Sequence, residues 1–389
     1  MINPLPVESR EAEIPHREAS TTMFDSVTRR AGLLAATLLL VMGTAAEATT
    51  VRVHYDVGYG NRITLRGSKA PLSWTTGTNA TWTTGNVWTL SWANSVGDVE
   101  VKPLVNDATW STGANYRIKA GATVDIYPFF GPASGRLVSV ANFYSPQFNN
   151  SRVLTLYLPP SYSENPLKRY PVLYAHDGQN LFNASRATYG VEWRMDETAN
   201  SLIGNGSMDE VIIVGMDHGD ANRIYEYTPC CDPQYGGGGA DKHERFILDT
   251  VKPYIDQNYR TLTAKGNTAL IGSSLGGLVS FYVGRRNPAV FGKLAAMSSS
   301  FWWNNQKLTQ EVEASSTKVA VKFYIDAGTS SDGLTETTRM RDALVADGYV
   351  QGNDLYYYVA QGAGHNESSW AARLHIPLTY LFPWQSTVY

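Results

Sequence analysis

From about Arg136 onward, short apolar runs alternate with stretches of helical periodicity, and this alternation limits the possible folds of the 389-residue chain more than any other feature. The apolar runs lie at 154–158, 171–175, 210–215, 268–272, 293–297, 319–325 and 355–359, and the helical stretches at 241–258, 276–286, 335–346 and 367–381. Near-continuous apolar strands alternating with helices indicate a mostly parallel sheet that is covered on both faces. We therefore predict a doubly wound α/β domain over residues 134–389.

Residues 49–133 have a different pattern, with short β-rich runs, clusters of Gly, Asn, Ser and Thr between them, and no convincing helical periodicity. This spacing is typical of a small all-β sandwich. Trp88 and Trp92 lie four residues apart in one predicted strand, so both point to one face, which is either core or a binding platform. The same segment holds three further tryptophans, Trp74, Trp82 and Trp110.

The first 48 residues have the pattern of a leader and signal peptide. Arg29 and Arg30 precede the mainly apolar run 31–43, and Ala46-Glu47-Ala48 supplies an Ala-x-Ala cleavage site. The apolar run is shorter than the roughly 20 residues that a membrane-spanning helix needs. We therefore expect a secreted or periplasmic mature chain without an integral membrane segment.

The net charge argues against two classes of partner, and the cysteine content argues against disulfides between distant segments. A net charge of −3 gives no reason to expect nucleic acid or an anionic membrane. The two cysteines, Cys230 and Cys231, are adjacent and cannot join distant segments of the chain. They form either a strained eight-membered ring or two thiols, and we interpret them as a local feature of a loop.

The strand at Thr268–Ile271 leads into Gly272-Ser273-Ser274-Leu275-Gly276-Gly277 and then into a helical pattern. A Gly-x-Ser-x-Gly string is weak evidence alone, but an apolar strand before it and a helix after it are the context of a nucleophile turn. The glycines matter because neighbouring segments approach this strained turn closely. The sequence therefore predicts Ser274 as a nucleophile at the carboxyl end of the sheet.

A serine nucleophile needs a histidine base and an orienting carboxylate, which follow it in this fold in the order Asp or Glu, then His. His365 follows the apolar run 355–359 and a glycine-bearing loop, whereas His375 lies inside the last helical pattern. Asp332 lies just beyond a strand end, while Asp326 is nearer the strand interior. We predict His365 as the base and Asp332 as the acid.

The oxyanion of a tetrahedral intermediate needs two backbone N–H donors. Leu275 supplies one, because it follows the nucleophile. The second is expected in the loop after the run 171–175, which reads His176-Asp177-Gly178-Gln179-Asn180. Gln179 is the predicted donor, with Gly178 allowing a close approach of the backbone.

These residues resemble the putative-esterase family of α/β-hydrolases, which includes feruloyl, acetylxylan and siderophore esterases and mycolyltransferases. The resemblance covers roughly residues 140–382 and rests on the motifs at 176–180, 272–277 and 364–367 with Trp370. It implies an acid four residues after Gly328, which is Asp332, although other members carry the acid one position earlier, where this chain has Ser331. It also implies Gln179 as the second oxyanion donor. Residues 65–115, with Trp74 and Trp88, loosely resemble starch-binding-type carbohydrate-binding modules.

Six further residues are candidates for substrate binding. Arg223 and Glu226 either shape a pocket or pair with one another. Trp302 and Trp303 follow a strand end where they can wall the acyl or aglycone site, with a core position as the alternative for at least one of them. Asp177 and Trp193 either touch substrate or have a structural role. We expect no cofactor and no metal, because the histidines are scattered without ligand spacing.

The sequence thus predicts a secreted serine carboxyl-ester hydrolase that works through an acyl-enzyme. The sugar-binding-like segment suggests an ester linked to a carbohydrate, and the family resemblance adds siderophore-like esters. Two alternatives stay open at this point. An acyltransferase uses the same triad, and a carbohydrate-binding protein on an inactive hydrolase scaffold requires a broken one.

Overall fold

A computed structural model describes residues 48–93, 97–315 and 317–384. Residues 1–47 of the predicted leader 1–48 lie outside the described residues, so the signal peptide stays a prediction. No helix within the described ranges is both long and apolar enough to cross a bilayer. The predicted domain boundary near residue 133 stays a prediction, and the strands on its two sides form separate sheets, in an N-terminal and a C-terminal region.

The N-terminal region is built from short, mainly antiparallel strands in two sheets. The strands are β1 (Thr49–His54), β2 (Ile63–Gly67), β3 (Thr78–Asn79), β4 (Thr81–Thr83), β5 (Val87–Trp92), β6 (Val99–Val105), β7 (Thr109–Trp110), β8 (Tyr116–Ile118) and β9 (Thr123–Ile126). One sheet has the order β4-β5-β1-β9, and the other has the order β3-β2-β6, with β7 and β8 both paired to β6. The predicted all-β region is therefore present.

The core of the N-terminal region lies between these two sheets. Val51 and Val53 of β1 are buried in one cluster with Leu65 of β2, because alternate residues of each strand face inward. Trp88 and Trp92 are buried in the same cluster. Their shared face therefore belongs to the core, and the alternative interpretation of this face as a binding platform is wrong.

The C-terminal region has an eight-stranded sheet of order β10-β11-β13-β12-β14-β15-β16-β17. Its strands are β10 (Arg136–Ser145), β11 (Asn150–Leu158), β12 (Val172–His176), β13 (Ile212–Met216), β14 (Thr268–Ser273), β15 (Lys293–Met297), β16 (Lys322–Ser330) and β17 (Leu355–Gly364). Its helices are α1 (Met195–Gly204), α2 (Arg223–Tyr227), α3 (Ala240–Arg245), α4 (Lys252–Asn258), α5 (Leu275–Arg286), α6 (Trp303–Glu313), α7 (Leu334–Ala346), α8 (Glu367–Arg373) and α9 (His375–Leu381). A π-helical turn, Phe246–Val251, joins α3 to α4.

Strands β13, β12, β14, β15, β16 and β17 pair in parallel, while β10 and β11 add two antiparallel strands at one edge. Helices cover both faces, as the alternation of strand residues shows. Val172 and Tyr174 pack into a core with α5 and α7, whereas Leu173 and Ala175 pack into the opposite core with α1 and α9. This is the predicted doubly wound arrangement.

In the C-terminal region β10, α1, α2 and α6 were not predicted, and the predicted helices 241–258 and 367–381 are each divided. Strand β10 is an edge strand with many exposed residues, so it lacks the apolar run of the central strands. Helix α6 begins irregularly, with Asn304, Asn305 and Gln306 at positive φ. The predicted helix 367–381 is divided into α8 and α9 at Leu374, where Pro377 has no N–H to donate to the preceding turn.

Candidate active site

The predicted catalytic residues meet at one edge of the parallel sheet. Ser274 follows β14, Asp332 follows β16, and His365 follows directly after β17. Because these strands are parallel, their carboxyl ends lie side by side, and the loops that follow them converge there. The structure thus brings together three residues that are far apart in the sequence.

Ser274 lies on a strained turn between β14 and α5, with φ 55° and ψ −123°. Backbone of this kind is uncommon for a residue with a side chain and is found at functional sites. A Cβ atom on Gly272 would come within 2.4 Å of the backbone of Gly276, and a Cβ atom on Gly276 would come within 2.9 Å of Asp177 Oδ2. Both glycines are therefore required by the close approach of neighbouring segments.

The three side chains form a continuous hydrogen-bonded relay. Ser274 Oγ lies 2.9 Å from His365 Nε2. His365 Nδ1 lies 2.6 Å from Asp332 Oδ1. The edge of the His365 ring also packs against Trp370, with the ring centroids 5.1 Å apart and the planes at 86°. An Nδ1–H that donates to Asp332 leaves Nε2 free to accept the serine proton.

The carboxylate of Asp332 is buried and accepts further hydrogen bonds. Its Oδ2 accepts from Ser298 Oγ at 2.5 Å and from the Gly328 backbone N–H at 2.6 Å. Burial alone would raise the pKa of Asp332, but the donors from His365, Ser298 and Gly328 together hold this pKa below its ordinary value. The acid is therefore kept ionised beside the histidine.

The Ser298 hydroxyl connects Asp332 to Trp370 and Arg373 through hydrogen bonds. Its hydroxyl accepts from Trp370 Nε1 at 2.9 Å and from Arg373 Nη2 at 2.6 Å while donating to Asp332. Arg373 is in turn fixed by Asp326, with Nε 2.9 Å from Oδ2. Asp326 therefore has a structural position, as its place inside the strand predicted.

The two predicted oxyanion donors lie in different elements, Gln179 in the loop after β12 and Leu275 at the start of α5. Asp177 has φ 55° and ψ 48°, and it begins a 3-10 turn over Gly178–Asn180. The first hydrogen bond of this turn is donated by Asn180 N–H to Asp177 O, so the Gln179 N–H is not used within the turn. Leu275 is the first residue of α5, and the first N–H groups of a helix have no intrahelical acceptor. Neither backbone N–H is thus used within its own turn, and the assignment of both as oxyanion donors stays a prediction.

Asp177 holds this loop through an ion pair with Arg223. Arg223 Nε lies 2.7 Å from Asp177 Oδ1 and Nη2 lies 2.8 Å from Oδ2, a bidentate geometry. The Asp177 backbone N–H also donates to Tyr227 Oη at 3.1 Å. Burial alone would raise the pKa of Asp177, but the Arg223 guanidinium holds it below the ordinary value.

Glu226 forms an ion pair with Arg152 and not with Arg223. It is fully buried and accepts from Arg152, with Nη1 2.8 Å from Oε2 and Nη2 3.0 Å from Oε1. Of the two alternatives for Arg223 and Glu226, pairing with one another is therefore wrong, because each residue meets an oppositely charged group from another segment. Of these two residues, Arg223 lines the cavity that contains Ser274 and His365.

A cavity of about 490 Å³ opens over the relay. It is lined by Asp177, Tyr189, Arg223, Ser274, His365 and Trp370, among others. Trp193 does not reach it, because Trp193 is only 1% exposed and packs its ring 5.8 Å from that of Trp370. The prediction that Trp193 touches substrate is therefore wrong, and its position is structural.

A second cavity of about 350 Å³ is also lined by His365, and Trp302 forms part of its wall. Trp303 is 3% exposed and donates from Nε1 to Pro229 O at 3.2 Å. Of the two tryptophans predicted to wall the site, Trp302 is present at the surface of the cavity, whereas Trp303 is a buried anchor.

Two buried histidines lie under the nucleophile turn. His176 Nδ1 lies 2.8 Å from Ser280 Oγ and His176 Nε2 lies 3.1 Å from His243 Nε2. Ser280 Oγ donates to Gly276 O, so His176 Nδ1–H is the donor to Ser280 and His243 Nε2–H is the donor to His176. Burial lowers the pKa of His176 to about 4 and that of His243 well below its ordinary value. Both rings are therefore neutral near pH 7.

Sequence reasoning missed Ser298, Arg373 and Tyr189. Ser298 directly follows a buried strand that pairs with β14, and this position was a signal for a residue near the site. The part of the chain that the structure describes contains no cluster of three or more potential metal ligands. Cys230 and Cys231 are exposed thiols whose sulfurs are 3.1 Å apart, away from the relay.

Comparison with known proteins gives a consistent result. A family model described as Putative esterase matches residues 145–380. The chain is 26% identical over 248 residues to the uncharacterized protein YbbA of Bacillus subtilis, which covers 60% of this chain and 93% of that protein. It is 23% identical over 267 residues to an endo-1,4-beta-xylanase/feruloyl esterase of Xylanibacter ruminicola, covering 67% of this chain and 33% of that protein. A siderophore enterobactin esterase of Emericella nidulans is 33% identical over 117 residues, covering 26% of this chain and 39% of that protein.

Among solved structures, a ferulic acid esterase superposes with a TM-score of 0.51 at 22% identity, covering 64% of this chain and 98% of that one. An IroE-like serine hydrolase of Shewanella oneidensis gives a TM-score of 0.50 at 22% identity, covering 64% of this chain and 80% of that one. These likenesses concern the fold, and they confirm the predicted α/β-hydrolase architecture.

Proposed function

The chain belongs to the Putative esterase family and is a carboxylic ester hydrolase, and from this premise we propose that Ser274, His365 and Asp332 are its catalytic triad. The observation that carries the proposal is the unbroken relay, with 2.9 Å between Ser274 Oγ and His365 Nε2 and 2.6 Å between His365 Nδ1 and Asp332 Oδ1. A carbohydrate-binding protein on an inactive scaffold would need this relay to be broken.

In the proposed mechanism, Ser274 Oγ attacks the ester carbonyl carbon while His365 Nε2 takes the serine proton. The backbone N–H groups of Leu275 and Gln179 donate to the oxyanion that forms. His365 then passes its proton to the leaving alcohol, and the acyl group stays on Ser274. Water resolves the acyl-enzyme by the same steps in reverse order, releasing the acid and restoring the serine.

The preferred substrate class is an ester linked to a carbohydrate or resembling a siderophore ester. Relatives named for feruloyl and for siderophore esters support both possibilities. A panel of acetyl, feruloyl, siderophore-like and longer acyl esters distinguishes them by their kcat/KM. Addition of competing sugar alcohols to the best ester tests transfer, because transfer products in excess of released acid would make the chain an acyltransferase.

We further propose that residues 49–133 bind polysaccharide. Support comes from Trp74 and Trp110, which are both exposed and lie with their ring centroids 6.4 Å apart. Arg66 lies over the Trp110 ring at 5.0 Å. The test is retention of the full chain on insoluble glycans, compared with a Trp74→Ala/Trp110→Ala double variant. Equal retention of the two proteins, or retention of neither, contradicts the proposal.

Secretion is proposed from the leader at residues 1–48. Expression of the whole chain, followed by N-terminal sequencing of the exported protein, tests it. The expected new N-terminus lies directly after Ala48, and retention of an uncleaved chain in the cytoplasm contradicts it.

For the triad itself, the test is Ser274→Ala, which should abolish turnover of p-nitrophenyl acetate. Ser300→Ala is the matched control, since Ser300 Oγ lies 3.3 Å from Ser274 Oγ but outside the relay. Retained turnover in Ser274→Ala removes the proposed mechanism.

A further inference from the structure

His243 of α3 is fully buried and lines neither of the two cavities described above. It contacts two side chains that hold the start of the loop after β12. Its Nε2 lies 3.1 Å from Nε2 of His176, the last residue of β12. Its ring packs against Tyr227 with the ring centroids 4.9 Å apart, and Tyr227 Oη accepts from the Asp177 backbone N–H at 3.1 Å. His243 therefore supports this loop at two successive residues, without access to a ligand in either cavity.

The His176 side chain joins the same loop to the helix that follows the nucleophile. His176 Nδ1–H donates to Ser280 Oγ at 2.8 Å, and Ser280 Oγ donates to Gly276 O at 2.8 Å. Ile271 O of β14 is a second acceptor for the same imidazole N–H, at 3.2 Å. A Cβ atom on Gly276 would lie 3.2 Å from His176 Cβ, so strand and helix are in direct contact. One imidazole therefore ties the end of β12 to β14 and to the first turn of α5.

The two elements that His176 joins carry the predicted oxyanion donors. Gln179 lies in the 3-10 turn of the loop that begins after His176, and Leu275 is the first residue of α5. An oxyanion hole works while both donors lie about 2.7–3.1 Å from the position that the oxyanion takes. The place of one N–H relative to the other depends on how the β12 loop packs against α5. The hydrogen bonds of His176 fix this packing.

The direction of these hydrogen bonds makes His176 dependent on His243. Because Ser280 Oγ gives its proton to Gly276 O, His176 donates from Nδ1, and its Nε2 is an acceptor. The donor to this acceptor is His243 Nε2–H. A buried nitrogen left without its partner costs free energy, so the His176 ring keeps its orientation only while His243 donates to it.

His243 itself is not the most stabilising side chain for its position. Its Nδ1 is buried and has no hydrogen-bond partner among the described residues. A buried polar atom without a partner is unfavourable, and a phenylalanine ring of similar shape would avoid this cost. The ring contact with Tyr227 would also be kept. The histidine therefore contributes one specific thing that phenylalanine lacks, the N–H that donates to His176.

We propose that His243 is a positioning residue for the oxyanion hole. It acts through His176 and Tyr227 on the loop that carries Gln179, and so on the distance between the two backbone donors. The inference rests on the proposed triad and its oxyanion donors. Because His243 lines neither cavity, its loss should slow the steps in which the oxyanion forms and leave the binding of the ester unchanged.

The test measures kcat and KM separately for p-nitrophenyl acetate. In His243→Phe we expect kcat to fall about tenfold, less than the 10²–10³-fold typical for the removal of a donor, because both donors stay but are displaced. KM should change by less than about twofold. His243→Gln should restore most of kcat, because its side-chain amide can donate to His176 in place of the imidazole.

Ser280→Ala removes the other end of the same connection, the hydroxyl that links His176 to Gly276 O. We expect kcat to fall about three- to tenfold, again with KM changed by less than about twofold. Since both variants act through His176, the loss of kcat in the double variant His243→Phe/Ser280→Ala should be smaller than the product of the two single losses. A loss equal to that product contradicts a shared route through His176.

Phe291→Leu is the matched control, because Phe291 is fully buried just before β15, at the end of the parallel strands away from Ser274. It should lower the urea midpoint of unfolding and leave kcat of the folded protein unchanged. If folded His243→Phe keeps the wild-type kcat, or if His243→Gln is as slow as His243→Phe, the positioning role is wrong.

If His243→Phe does not fold, Ser280→Ala decides, and an unchanged kcat in that variant overturns the inference. A rise of KM as large as the fall of kcat in either variant also overturns it, because the network would then act on binding of the ester. Absence of turnover by the wild-type chain, or turnover retained in Ser274→Ala, contradicts the proposed function itself, so the two failures are distinguishable.

Discussion

Ser298→Ala removes one hydroxyl that makes three contacts, and we predict a large loss of stability for so small a change. The hydroxyl donates to the buried Asp332 carboxylate at 2.5 Å and accepts from Trp370 Nε1 and Arg373 Nη2. A hydrogen bond to a charged group contributes about 1.5–3 kcal/mol, and a buried donor left without an acceptor costs about 1–3 kcal/mol. Since Arg373 keeps Asp326, we expect the variant to lose about 3 kcal/mol of unfolding free energy.

Ser299→Ala is the matched control for this prediction. Ser299 is adjacent and equally buried, but its hydroxyl has no hydrogen-bond partner in the described structure. Its removal should leave the free energy of unfolding unchanged or slightly higher, because a buried hydroxyl without a partner is unfavourable. Urea unfolding followed by tryptophan fluorescence measures both variants under the same conditions.

The same change should also affect the reaction. Without Ser298, the pKa of Asp332 rises toward its ordinary value, and its carboxylate loses one of the donors that fix it beside His365. We expect kcat near pH 7 to fall about tenfold, which corresponds to about 1.4 kcal/mol of lost transition-state stabilisation. If Ser298→Ala is as stable and as active as Ser299→Ala, the role assigned to this hydroxyl is wrong.

Two more predictions concern residues that pack beneath the turn that carries Ser274. The pKa of His176 is lowered to about 4, so its stabilising contribution is fully present above its ordinary value near 6.5 and is lost as the pH falls toward 4. Urea unfolding at pH 7.5 and at pH 4.5 should differ by about 2–3 kcal/mol from this group, and equal midpoints would contradict its buried neutral state. Gly276→Ala places a Cβ atom within 2.9 Å of Asp177 Oδ2 and 3.2 Å of His176 Cβ, so kcat should fall at least about tenfold. Gly266→Ala, where a Cβ meets nothing within 4 Å, should leave kcat unchanged, and equal kcat in the two variants would refute the argument from close approach.

The fold was predictable because its strongest signals are local. The apolar runs that predicted the central strands correspond to β11 through β17, since a strand buried on both faces must be apolar throughout. Strand β10 was missed for the opposite reason: as an edge strand with exposed side chains, it has no such run. The order of Ser274, Asp332 and His365 was likewise visible, because each follows the end of a strand and parallel strand ends meet at one edge.

Partners of charged residues were not predictable in the same way. Arg223 and Glu226 are three residues apart on α2, yet they pair with Asp177 of the loop after β12 and with Arg152 of β11. Sequence spacing does not reveal such contacts, because they depend on how distant segments pack. For a related reason, the sequence did not show whether the strand face of Trp88 and Trp92 is buried or exposed. A strand pattern shows that two rings share a face but not what covers that face.

In the proposed mechanism Ser274 carries the acyl group, and mass spectrometry of the trapped acyl-enzyme detects this group on the chain. The wild-type chain is mixed with a slowly hydrolysed ester, quenched in acid and digested. We predict one acyl group per chain, on the peptide that contains Ser274, and none in Ser274→Ala. Acyl label on Ser300, whose hydroxyl lies 3.3 Å away, or label that persists in Ser274→Ala, would contradict the account.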